Sequence, residues 1–219
     1  MPFHPALPDW IRHHSPPEQW TNVFSLPHVH TDRLYATETL FGEWGGRTLL
    51  LAKDTAPTKE ITRWEHAERE LGDKGGWKTN QWLKEHADSI PGGKLYGSAT
   101  ANLTYNGEGW SRSLPGFYAG PLQDYLTRVL RWVLESMPNV EVVGCLGAEA
   151  WFLTTTVLGH PGAARSLREH RNAARSIEGE HAGKRITAFA LYHPAARVSN
   201  TAKMAAWSAM TRGAAAPST

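Results

Sequence analysis

The chain has 219 residues, of which 41% are hydrophobic and 20% charged, with a formal net charge of +2. This balance excludes a disordered or fibrous chain and a histone-like excess of positive charge, while it permits a nucleic-acid partner. A single cysteine, Cys145, excludes a disulfide framework and any zinc or iron–sulfur site built from several thiolates. No apolar run reaches the roughly 18 residues of a membrane span. The opening stretch MPFHPALPDW lacks the basic-then-apolar order of a secretory leader, so a cytoplasmic chain with no membrane contact is expected.

Residues 1–46 carry Pro2, Pro5, Pro8, Pro16, Pro17 and Pro27 and show little periodicity. Each proline ring fixes its own φ and disfavours helix in the residue before it. The stretch therefore reads as an irregular N-terminal arm with short helical pieces, packed on a domain spanning 47–213. Arg47–Ala52, RTLLLA, is a continuous apolar run of strand length, as for a strand buried on both faces. Helices are expected at 59–71 and 78–87, split by Gly75 and Gly76. LYGSATANL, residues 95–103, predicts a second strand. Over 119–137, Leu122, Tyr125, Leu126, Val129, Leu130, Val133 and Leu134 recur at helical spacing, and Pro138 ends the pattern. VEVVGC, residues 140–145, predicts a third strand and 147–158 a helix. Residues 163–178 read as an Arg-rich helix or loop. Ile186–Tyr192, ITAFALY, is a fourth strand, followed by a helix over about 199–211 and a disordered tail at 214–219.

Strands that alternate with helices predict an α/β fold: three layers, α/β/α, around a central, mainly parallel, four-stranded sheet. In such sheets ligands bind beyond the carboxyl ends of the strands. Asp54 follows the first strand, Asn102 stands near the end of the second, and His193 follows the fourth. An acid, an amide and a histidine are thus expected on one rim. His160-Pro161 repeats the look of His193-Pro194, but only the second copy follows a strand that would deliver it there.

These segments resemble the uracil-DNA glycosylase superfamily over about residues 45–210. LLLAKDTAP is similar to the family's first signature, a strand delivering an acid in a Gly-Gln-Asp-Pro-Tyr-type loop. YHPAARVSN is similar to its second, a His-Pro-Ser-type loop after the last strand. ANLTYN resembles the strand end that carries the uracil-reading Asn, and GPLQDYLTRVLRWVLESMPNVEVVGCLGAEAW resembles the long helix, third strand and Gly-x-x-Ala turn between. The resemblance implies a monofunctional DNA glycosylase of base excision repair. It would flip uracil, or another deaminated or 5-substituted base, from single- or double-stranded DNA, act as a monomer, and need no cofactor or metal.

On this resemblance Asp54 stabilises the cationic sugar and activates water, and His193 stabilises the departing base anion. Asn102 reads the uracil edge. The 53–56 loop, from Lys53, adds base contacts, and Trp64 is the nearest aromatic by spacing to stack on the base, with Tyr96 and Tyr105 competing. The sequence departs from the pattern at three places. Ala56 replaces the aromatic that crowds out a 5-methyl group, Ala195 replaces the serine, and Arg197 stands where an apolar wedge is usual. Arg197 and Ser199, with Arg165, Arg168 and Arg171 of the basic segment, are expected to contact DNA; a solvated helix face is the alternative for the arginines. The competing function is a non-catalytic nucleic-acid-binding module on the same fold. An unrelated hydrolase or nucleotide enzyme lacks its own signature here, since no Gly-x-Ser-x-Gly elbow or phosphate-binding glycine loop follows a strand.

Overall fold

Three apolar runs become the centre of one sheet. A computed structural model describes residues 4–27, 34–35, 42–53, 58–59, 78–107 and 114–215. Strands β2 (Thr48–Ala52), β5 (Val142–Leu146) and β7 (Lys184–Leu191) lie side by side in parallel, with Ala52, Leu146 and Leu191 in register. β3 (Lys94–Ser98) extends the parallel series beside β2, and β6 (Ser176–His181) adds an antiparallel strand beside β7, giving the order β3-β2-β5-β7-β6. A separate antiparallel ribbon pairs β1 (Trp20–Asn22) with β4 (Leu103–Tyr105).

Alternation along each strand sends side chains to opposite faces. Leu49, Leu51, Val143, Cys145, Ala188 and Ala190 join one cluster, with α3 (Gly120–Ser136) and α4 (Ala148–Val157). Leu50, Ala52, Val142, Leu146 and Leu191 join the other, with α2 (Lys78–Ala87) and α6 (Asn200–Ala215). Among the described residues there are also two short α-helices, α1 (Asp9–Arg12) and α5 (Leu167–Asn172). Gly144 permits the close seating of α6, because a Cβ there would lie 2.5 Å from Met210 Sδ and 2.9 Å from Leu50 Cδ2. Lys184 donates to the last carbonyls of α3, at Leu134 (2.7 Å), Glu135 (3.2 Å) and Met137 (2.8 Å), and so satisfies acceptors that the helix itself cannot.

The class is α/β as expected, but the sheet has five strands rather than four. The extra strand is β6, which lies in and just beyond the segment read as an Arg-rich helix or loop. It joins β7 through Ala182 and Gly183, both at positive φ (50° and 74°). The expected second strand also stops early. The chain turns between Ser98 and Leu103, with Ala101 at φ 52°, and Leu103 onward belongs to the ribbon. The last helix continues to Ala215, beyond the expected start of a disordered tail, because Ala214 is buried against the sheet. The helix expected at 59–71 lies, apart from Lys59, outside the described residues. Among the described residues no helix is long and apolar enough to cross a membrane.

Candidate functional site

Because β2, β5 and β7 are parallel and in register, the residues that follow them share one rim. Lys53 follows β2, Gly147–Glu149 follow β5, and His193 follows β7. β5 lies between the other two, so Glu149 is central.

Glu149 is 6% exposed and sits in the first turn of α4, where the helix dipole favours a negative charge. Its Oε1 lies 3.5 Å from Lys53 Nζ, and its carboxylate accepts a hydrogen bond from the Tyr118 hydroxyl. Burial first, and then the Glu149 charge, push the Tyr118 phenol up to about 12, so it stays protonated at neutral pH. Tyr118 itself is 45% exposed.

His193 is held in a tight turn. The Ala196 N–H donates to its carbonyl (2.8 Å), and the Ala195 N–H donates to its Nδ1 (3.2 Å). A nitrogen that accepts carries no proton, so the neutral ring bears its hydrogen on Nε2. Burial, then Lys203, then Lys53 hold the imidazole below its ordinary pKa. Lys203, buried on α6, donates to the Pro194 carbonyl and clamps the same loop. The result is a neutral hydrogen-bond donor flanked by two ammonium groups. Such a group can stabilise negative charge that develops on a leaving atom without giving up its proton.

Asn102 does not present its amide to this rim. It is 0% exposed, its Nδ2 donates to the Ile11 carbonyl (3.2 Å) and to Asn22 Oδ1 (3.0 Å), and its Oδ1 accepts from the Tyr125 hydroxyl (2.7 Å). Both N–H groups are directed to acceptors in the core. The cause is the turn after Ser98, which carries Asn102 inward under the N-terminal arm. Tyr96 and Tyr105 are likewise committed: Tyr96 is buried on the α2–α6 face, and Tyr105 packs on Trp20.

Asp54, Ala56 and Trp64 lie outside the described residues. Arg165, Arg168 and Arg197 are exposed. Arg171 instead stacks its guanidinium over Tyr192, 4.1 Å from the ring centroid, one residue before His193. Ser199 caps α6, its Oγ accepting from the Ala202 N–H (3.2 Å). His160 follows α4, and its Nε2 donates to the Glu178 carbonyl within β6 (2.8 Å). Of the expected residues, then, the rim gathers Lys53 and His193.

Neither Glu149 nor Tyr118 is a defining residue of a motif in the sequence. The signal for Glu149 is a lone charge in AEAWFLTTTV, a helix with no other ionisable side chain. A charge in such a helix is buried and must find a partner.

Compared with protein-family models and with curated proteins, the chain matches none. The chemistry of the rim is what points to a function.

Proposed function

We propose that the chain is a monofunctional DNA glycosylase that flips uracil out of DNA and hydrolyses its N-glycosidic bond, as in base excision repair. The observation that carries this reading is the tautomer of His193: the Ala195 N–H on Nδ1 leaves Nε2–H as a donor on the rim. In the reaction the C1′–N1 bond breaks and its electron pair stays on the base. His193 Nε2–H donates to a carbonyl oxygen of that anion, and the charges of Lys53 and Lys203 favour it further. Asp54, next in the chain after Lys53, supplies the carboxylate that stabilises the cationic sugar and takes a proton from the water whose oxygen joins C1′. Base choice in this reading comes from the 53–56 loop, not from Asn102. With alanine at position 56 in place of a bulky aromatic, the reading also takes 5-substituted uracils as substrates. The enzyme acts as a monomer on single- or double-stranded DNA in the cytoplasm.

A non-catalytic nucleic-acid-binding module is the second reading, favoured by the commitment of Asn102 to the core. One assay separates them: incubation with a uracil-containing oligonucleotide, then alkaline cleavage at abasic sites. The glycosylase reading expects cleavage by the wild type and a loss of at least about tenfold in Asp54→Asn and His193→Ala. Binding without cleavage selects the module.

A further inference from the structure

Among the described residues, two large hydrophobic side chains are exposed, Tyr118 and Val198. Both belong to segments of the rim: Val198 is in the loop after His193, and Tyr118 is bonded to Glu149. Tyr118 is also held firmly. The adjacent Phe117 is fully buried, and Tyr118 makes edge-type contacts with Phe117 (centroids 5.2 Å apart, 71°) and Phe152 (4.9 Å, 70°). Neither neighbour lies parallel on the Tyr118 ring.

A buried carboxylate could be satisfied by any small hydroxyl. Setting a tyrosine there adds an aromatic ring whose exposure contributes little to folding but whose orientation is fixed. Fixed, partly exposed aromatics beside positive charge suit a ligand with flat apolar faces and a negative backbone, which describes single-stranded nucleic acid. Lys53, paired with the same carboxylate, supplies positive charge close by.

We infer that Tyr118 is a stacking platform for an unpaired nucleobase of bound DNA, held in place by the Glu149 carboxylate. The inference rests on the reading of the rim as a DNA site and adds to it a binding residue on the loop before α3. It does not require that the bound base be the one excised.

The test is the affinity of single-stranded DNA carrying a 2′-fluorinated uridine, whose sugar resists cleavage, for the wild type and for Tyr118→Ala, Tyr118→Leu and Tyr118→Phe. Tyr118→Ala and Tyr118→Leu should weaken binding at least about fivefold, while Tyr118→Phe stays within about threefold of wild type. Thermal melting of each variant reads the hydroxyl–carboxylate bond separately, and Tyr118→Phe should melt lower while still binding. Tyr118→Ala or Tyr118→Leu binding as well as wild type would overturn the platform, as would a Tyr118→Phe as weak as Tyr118→Leu. Uracil excision by the wild type is scored independently. The ring-dependent pattern without excision keeps the platform and removes the glycosylase; excision with a flat pattern does the reverse. A wild type that binds no oligonucleotide removes both.

Discussion

Asn102 and Asn22 share an amide–amide hydrogen bond of 3.0 Å across 80 positions of sequence. Asn22 in turn donates to the carbonyls of Arg12 (3.1 Å) and His14 (3.0 Å), so the pair ties the N-terminal arm to the core. Replacing Asn102 by Asp would set a carboxylate oxygen against the Ile11 carbonyl and Asn22 Oδ1, both acceptors. The expected loss is about 3 kcal/mol, from desolvation and missing partners, read as a lower urea midpoint. Asn102→Asp with the wild-type midpoint would make Asn102 a candidate ligand-binding residue again.

Stability should fall as the solution is made mildly acidic. Burial lowers the pKa of His14, stacked 3.5 Å from the Tyr125 ring, and burial with Lys203 and Lys53 lowers that of His193. Below about pH 6.5 the unfolded chain takes up protons on these rings before the folded chain does, so folding weakens until the folded pKa values are passed. Thermal melts between pH 7.5 and 5.5 should show the fall, and His193→Gln should flatten part of it. Equal falls in both proteins would mean that the neutral imidazole is not what acid removes.

The Lys53–Glu149 pair should be asymmetric. Glu149→Ala removes the buried carboxylate that Lys53 and the Tyr118 hydroxyl share, and a loss of about 3 kcal/mol is expected. Lys53→Met should cost less, because the lysine side chain is 23% exposed against 8% for Glu149 and Tyr118 still serves the carboxylate. A double-mutant cycle by denaturant unfolding measures the coupling. A Glu149→Ala as stable as wild type would show that the carboxylate is not needed at the rim.

If Arg165 and Arg168 touch phosphates, replacing both with Ala should reduce the salt slope of duplex binding by about 0.9 for each phosphate no longer neutralised. Arg171→Ala should act otherwise, through the Tyr192 ring that it covers. A slope that does not change on removal of both exposed arginines assigns them to a solvated face.

Cys145 should be inert in the folded protein. Burial raises its thiol to about 12, its neighbour is the Thr154 hydroxyl at 3.4 Å, and the thiolate is the reactive form. Labelling by a thiol reagent should therefore follow global unfolding. Rapid labelling in native buffer would contradict the buried position.

The central strands were legible because burial on both faces leaves a continuous apolar run: RTLLLA, VEVVGC and ITAFALY each contain most of a core strand. The amphipathic spacing of α3 was equally plain. β6 was not, since SIEGEH is a polar edge strand whose residues alternate only between exposed and half-buried, and the arginines just before it suggested one solvated segment. The burial of Asn102 is hidden in the sequence for a different reason. LYGSATANL mixes small and apolar residues with Ser98, Thr100 and Asn102, and nothing in that run tells one strand from two strands in different sheets joined by a turn. His193 was readable because a strand delivers it. Glu149 was hidden because its partner Lys53 is far away in sequence, and pairing across the rim follows only once the order of the strands is known.

The β1–β4 ribbon has a consequence for the order of events on the ribosome. Trp20, Thr21 and Asn22 find their strand partners at Tyr105, Thr104 and Leu103. The segment around Ile11 and Trp20 must therefore wait, uncovered, until the whole of β2, β3 and α2 has emerged. Closing so long a loop is slow, and the uncovered apolar groups are open to aggregation meanwhile. Slowing translation before β4 is made should lower the soluble yield, whereas the same delay placed after Leu146, when β2, β3 and β5 can already pair, should be tolerated.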